Sequence, residues 1–178
     1  YKRCLDWLLT PERMAGVRLG LASHNLFDVA WSHLLAEARG VTDRVQFEML
    51  QGMASAQAAA VRERTSADGS PMLLYTPAVR DSDFDVAIGY LFRRLEENAS
   101  DDNFLRHLFE LVPGSPEFES QEQIFRSALA RRADVRTAPR RTQDRNEPPT
   151  PAYRIGEAFV NEPDTDPNLV PNHRWIRD

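Results

Sequence analysis

Cysteine is almost absent from this chain: Cys4 stands alone among 178 residues. One thiol closes no internal disulfide and has no second thiol with which to share a metal, which fits a reducing compartment, the cytoplasm by default. Long apolar runs are lacking too. Nothing approaches the roughly 18 consecutive apolar residues of a membrane span, and no charged-then-apolar segment opens the chain. Neither a span nor a secretory leader is therefore expected, while peripheral attachment to a membrane surface is left open. A segregated basic block is missing from the first two thirds, and 22 basic against 27 acidic residues give a net charge of −5. Nucleic acid is accordingly not an expected partner.

What is present divides the chain. A hydrophobic share of 42% supports a sizeable core, whereas twelve prolines indicate that not all of it is packed. Three apolar runs, beginning at Val17, Val45 and Met72, start 28 and 27 residues apart. Each is followed by turn chemistry and a helical pattern. Asn25 is placed to cap a helix from Leu26 to about Arg39, with Asp28 in its first turn and Gly40 as its stop. A second helix is expected from Ser55 to Arg64. A third is expected after Asp81-Ser82-Asp83, where Ser82 and Asp85 have capping-box spacing. Strands alternating with helices at this period predict an α/β fold with a parallel sheet. Residues Tyr1 to about Ala15 read as one helix that would normally follow an earlier strand, so the strand–helix repeat looks cut at its start. Downstream, a short helix through Leu111 and a longer one from Ser120 to Arg132 complete the packed part, 1–132. Residues 133–152 read as a linker and 153–178 as an extended arm.

The third of these helices contains Tyr90-Leu91-Phe92-Arg93-Arg94-Leu95-Glu96-Glu97-Asn98. At about 100° per residue, Tyr90, Arg93, Arg94 and Glu97 fall on one side and Phe84, Ile88, Leu91, Phe92 and Leu95 on the other, which is expected to face the core. Two adjacent guanidiniums beside a phenol and a carboxylate form a plausible clamp for a small carboxylate, because arginine presents a planar fork of donors. The same spacing also describes ordinary i, i+4 and i, i+3 ion pairs on a solvated face. In parallel βα architectures chemistry sits at the carboxyl ends of the strands, which here carry Ser23-His24-Asn25, Leu50-Gln51 and Tyr75. His33, His107 and His173 share no metal-like spacing, so no metal site is expected.

Four co-ordered motifs carry a resemblance: Leu21-Ala22-Ser23-His24-Asn25, Phe47-Glu48-Met49-Leu50-Gln51-Gly52-Met53, Leu74-Tyr75-Thr76-Pro77 and the Tyr90–Asn98 stretch. In order and spacing they resemble the flavin-dependent proline dehydrogenases, specifically the bifunctional proline utilisation A proteins. The tail Asn161-Glu162-Pro163-Asp164-Thr165-Asp166-Pro167 resembles the segment that leads from their proline dehydrogenase barrel into an aldehyde dehydrogenase module. The resemblance implies a distorted (β/α)8 TIM-like barrel, of which this chain holds the last three βα units. It implies that Arg93 and Arg94 bind the proline carboxylate, that Tyr75 and Tyr90 wall the substrate pocket, and that Leu50 packs on the ring. Ser23, His24 and Asn25 would contact FAD, and Glu97 would lie near both the cofactor and the arginines.

By the same resemblance the complete enzyme oxidises L-proline to Δ1-pyrroline-5-carboxylate with FAD and passes electrons to a quinone. The opened semialdehyde is then oxidised to glutamate with NAD in the aldehyde dehydrogenase module. The family's residues from early barrel strands have no counterpart here, so this segment alone is expected to be inactive. The remaining barrel strands and that module are its implied partners, and a homo-oligomer is left open. Two rivals stand beside this reading: an anion-binding α/β module without chemistry, and an interaction fragment whose Tyr90 helix is an outer surface.

Overall fold

The structure, a computed structural model, describes residues 1–67, 69–101, 103–138, 143–147, 156, 158 and 164–178. These form two compact units, Tyr1–Asp134 and Val135–Asp178. In the first, helices α1 (Lys2–Leu8) and α2 (Pro11–Met14) precede three βα pairs. The pairs are strand β1 (Leu19–Ala22) with α3 (Leu26–Ala38), β2 (Val45–Leu50) with α4 (Ser55–Ala67), and β3 (Met72–Tyr75) with α5 (Phe84–Ala99). Helices α6 (Phe104–His107) and α7 (Pro116–Ala130) follow. The sheet is parallel in the order β1-β2-β3, as the strand–helix period predicts.

Alternation along β2 decides the two faces of the sheet. Val45, Phe47 and Met49 are buried and join Leu21, Val29, Ala36, Ala58 and Val61 in the core beneath α3 and α4. Gln46, Glu48 and Leu50 take the opposite face, half-buried, together with Gly20, Ala22, Leu73 and Tyr75 of the flanking strands. Asn25 caps α3 as expected, its Oδ1 accepting from the backbone N–H groups of Phe27 at 3.1 Å and Asp28 at 3.3 Å. Asp28 in turn pairs with Lys2 at 2.6 Å, with both side chains largely withdrawn from solvent, and this ties α1 to α3.

Several expectations are corrected. The helix read over Tyr1–Ala15 is two helices, because Thr10 caps α2 and Pro11 opens it, and a proline has no N–H to continue the turn before it. The capping box at Ser82 and Asp85 does not form; residues Asp81–Asp83 make a 3-10 turn and the Ser82 hydroxyl donates to Asp83 instead. Helix α7 begins at Pro116 rather than Ser120, with the Ser115 hydroxyl accepting from the Phe118 N–H. The largest correction concerns α5. Its apolar side does not face the core: Phe84, Phe92 and Leu95 are 62%, 65% and 61% exposed, and Ile88 and Leu91 are exposed as well. Ala87 is the buried residue of that helix. Helix α5 instead turns Tyr90 toward Tyr75 at the end of β3 and Asn98 toward Met53 after β2.

In the second unit, Asn172–Arg177 form helix α8, within the stretch read as an extended arm. Asn172 is fully buried and organises it, its Oδ1 accepting from the Arg145 N–H and its amide donating to the Asp166 carbonyl. Of the expected linker and arm, residues 139–142, 148–155, 157 and 159–163 lie outside the described ones. No helix among the described residues is long and apolar enough to cross a membrane.

Asp6 joins three segments of the first unit. Its carboxylate accepts from Arg132 Nε at 2.9 Å and from Arg39 Nη2 at 2.5 Å, while Arg39 also donates to the Asp6 and Leu9 carbonyls at the end of α1. The Arg132 and Arg39 guanidiniums hold the Asp6 carboxyl below its ordinary value. A depressed carboxylate contributes stability that is present above the unfolded-state pKa and is lost as pH falls through the folded one. Asp6→Asn is expected to destabilise the protein by about 1 kcal/mol at pH 7. In urea titrations the difference should close under acidic conditions, below the ordinary carboxylate value of about 3.9.

Candidate functional site

The parallel register sets Leu50 beside Tyr75 and Ala22 beside Glu48, so the three strands end at one level. At that level, beneath α5, lies a cavity of about 310 Å³ lined by Ala22, Ser23, His24, Glu48, Met49, Leu50, Tyr75, Tyr90 and Arg94. Six of the nine residues singled out in the sequence therefore meet at one cavity: Ser23, His24, Leu50, Tyr75, Tyr90 and Arg94.

Local backbone bonds fix its floor. The Ser23 N–H donates to the Glu48 carbonyl, the Gln51 N–H donates to the Tyr75 carbonyl at 2.8 Å, and the Ser23 hydroxyl accepts from the Asn25 N–H. His24 Nε2 accepts from the Leu50 N–H at 3.0 Å, which places the ring proton on Nδ1. Burial pushes the His24 pKa below its ordinary value, consistent with that neutral tautomer. Its Nδ1 is buried without a hydrogen-bond partner among the described residues. The roof is built by α5. The Tyr75 and Tyr90 rings meet at 6.4 Å between centroids, the Arg94 guanidinium lies 5.4 Å from the Tyr90 ring centroid, and Arg94 Nη2 donates to Glu97 Oε1 at 2.5 Å. Arg94 Nε is likewise buried and unpartnered. Two unsatisfied buried donors at one cavity favour a ligand that brings acceptors.

The other three expected residues stand apart from the lining. Asn25 spends its side chain on the α3 cap. Glu97 reaches the cavity only through Arg94. Arg93 is exposed and does not line the cavity, because 100° of helix separates it from its neighbour. Glu48 was missed. It shares a strand face with Leu50, and the absent side chain of Gly20 makes room for it: a Cβ there would stand 2.3 Å from Glu48 Oε1. The strict alternation Val45, Phe47, Met49 against Gln46, Glu48, Leu50 was the signal that could have revealed it. Among the described residues no three His, Cys, Asp or Glu side chains gather as metal ligands.

Parallel βα units with a cavity at the strand carboxyl ends define the class of α/β domains that act through those ends. The family model for proline dehydrogenase matches residues 1–107, and the chain belongs to that family. Among solved structures it is similar to Proline Utilization A (PutA) from Corynebacterium freiburgense, at 39% identity and a TM-score of 0.70. The alignment covers 99% of this chain and 14% of that one, so the chain spans a small part of that protein's length. No match is found among curated proteins.

His24 supplies a test of the floor. Protonation removes its acceptor for the Leu50 N–H, and with a depressed pKa the stabilisation is present above the ordinary histidine value of about 6.5 and lost as pH falls through the folded value. The thermal midpoint of the unsubstituted protein should fall across that acidic window. His24→Gln should show a flatter profile by calorimetry.

Proposed function

We propose that this chain provides the last three βα units of a (β/α)8 barrel in a FAD-dependent enzyme that oxidises L-proline to Δ1-pyrroline-5-carboxylate. The observation that supports it best is the convergence of Arg94, Tyr75, Tyr90 and Leu50 on one cavity at the strand ends. Arg94 is the principal carboxylate ligand in this reading. Arg94 lines the cavity with its Nε buried and unpartnered, while Glu97 and the Tyr90 ring hold the guanidinium in place. Arg93, on the adjacent helical position, joins the carboxylate from the outer side. Leu50 and the two tyrosines pack against the ring and exclude water, which strengthens the ion pair.

The residues present fit a flavin: His24 Nδ1 offers a buried donor with no partner, and Ser23 adds a hydroxyl at the same strand end. When bound there, FAD supplies the hydride acceptor for the carbon beside the proline nitrogen. Asn25 serves that contact indirectly, by fixing the turn that carries Ser23 and His24, and Glu97 by orienting Arg94. The product's onward oxidation by an NAD-dependent aldehyde dehydrogenase module, electron transfer to a quinone and peripheral contact with a membrane belong to the same reading. Support for the first of these is the likeness to PutA. Residues 133–152 then act as the linker and 153–178 as the arm toward that module.

The test is proline-dependent reduction of a dye by the flavin-loaded protein that contains these residues. Arg94→Met should leave the substrate carboxylate poorly paired, at a cost of about 2 to 4 kcal/mol that appears mainly in KM. Arg93→Met should cost less, in keeping with its exposure. Carboxylate binding without dye reduction would favour the non-enzymatic module instead, and unchanged KM in both variants would remove the clamp.

A further inference from the structure

Helix α5 carries the substrate-facing arginine of the proposed site, yet Ala87 is its buried residue, so packing alone does not explain its position. Ala87, Tyr90, Arg94 and Asn98 succeed one another at helical spacing and form the side turned toward the strand ends. Tyr90 and Arg94 belong to the cavity. Asn98, one turn beyond Arg94, does not line it; its amide Nδ2 donates instead to Met53 Sδ at 3.2 Å.

Neighbouring bonds determine which way that amide points. Asn103 Oδ1 accepts from the Leu105 N–H at 2.9 Å and its Nδ2 donates to the Glu97 carbonyl at 2.9 Å, which settles the Asn103 orientation. The same Nδ2 faces Asn98 Oδ1 at 3.4 Å, leaving the Asn98 NH₂ for Met53. Met53 sits in the β2–α4 loop, which continues directly from Leu50 on the cavity floor. That loop departs from ordinary backbone at Gly52 (φ 83°) and at Ala54 (φ 51°), a left-handed conformation that an alanine adopts only when its surroundings impose it. A relay thus runs from the α6 cap through Asn103 and Asn98 to a strained loop adjoining Leu50.

We propose that Asn98 is a positioning residue for substrate binding: by tying the last turns of α5 to Met53, it sets the height of Arg94 above Leu50 and Tyr75. This inference rests on the proline reading of the site. Asn98 touches no reacting atom in it, and acts through Arg94. Without the tether the carboxyl-terminal half of α5 keeps its helix but loses its fixed distance from the floor. Its effect then falls on carboxylate capture and not on the hydride step.

Steady-state kinetics of the flavin-loaded protein with L-proline test it. Asn98→Ala should raise KM by about tenfold with kcat within roughly twofold of the unsubstituted protein. Met53→Leu, which keeps the volume but removes the acceptor, should raise KM by about threefold. Introduced into Arg94→Met, either substitution should add less than about twofold, because the interaction it supports is already gone. A fall in kcat at constant KM, or a full penalty persisting in the Arg94→Met background, overturns the role. If Asn98→Ala does not fold, Met53→Leu alone and in the Arg94→Met background decides between the same outcomes. Proline oxidation with KM unaltered in both variants defeats this inference and leaves the functional reading intact. Absence of proline oxidation by the unsubstituted protein that carries these residues within a complete barrel defeats both.

Discussion

Leu50 opposite Tyr75 and Ala22 opposite Glu48 are consequences of one constraint, the in-register parallel pairing of three strands. Parallel pairing sends every strand in the same direction, so the loops that follow β1, β2 and β3 emerge on a single side. His24, Leu50 and Tyr75 meet there although 51 residues separate the first from the last. The Leu50 N–H to His24 Nε2 bond and the Gln51 N–H to Tyr75 carbonyl bond extend the ladder beyond the strands. The cavity floor is in that sense the last rung of the sheet.

The two sides of the sheet do different work. Phe47, Met49 and Val45 join the buried core beneath α3 and α4, while Gly20, Glu48 and Leu50 line the opposite face with mixed chemistry. Gly20 leaves space that the Glu48 carboxylate occupies, so a side chain there would shift the carboxylate. A carboxylate on that face, a buried histidine donor at its edge and an arginine above it give the cavity both signs of charge within about 310 Å³. Such a site suits a small ligand that joins an apolar body to a charged or polar group.

Within the described residues the apolar side of helix α5 is exposed, while Tyr90, Arg94 and Asn98 are half-buried toward the strand ends. Hydrogen bonds and ring contacts at Tyr75–Tyr90 and Asn98–Met53 hold it instead.

The strand–helix order and the Asn25 cap were legible along the chain, because periodicity and capping are local properties of neighbouring residues. The direction in which α5 faces was not. Amphipathic spacing reports that a helix has two sides, but which side turns inward depends on whether the helix lies along the sheet or across its end. Glu48 and Asn98 escaped notice for a related reason: one depends on a gap left by Gly20 on another strand, the other on a sulfur 45 residues away. Sequence alone determined which residues could form the site and which segments would be strands and helices. Only the tertiary structure decided that Arg94, not Arg93, meets the cavity, since that choice is made by a rotation of 100° about a helix held from outside its own sequence.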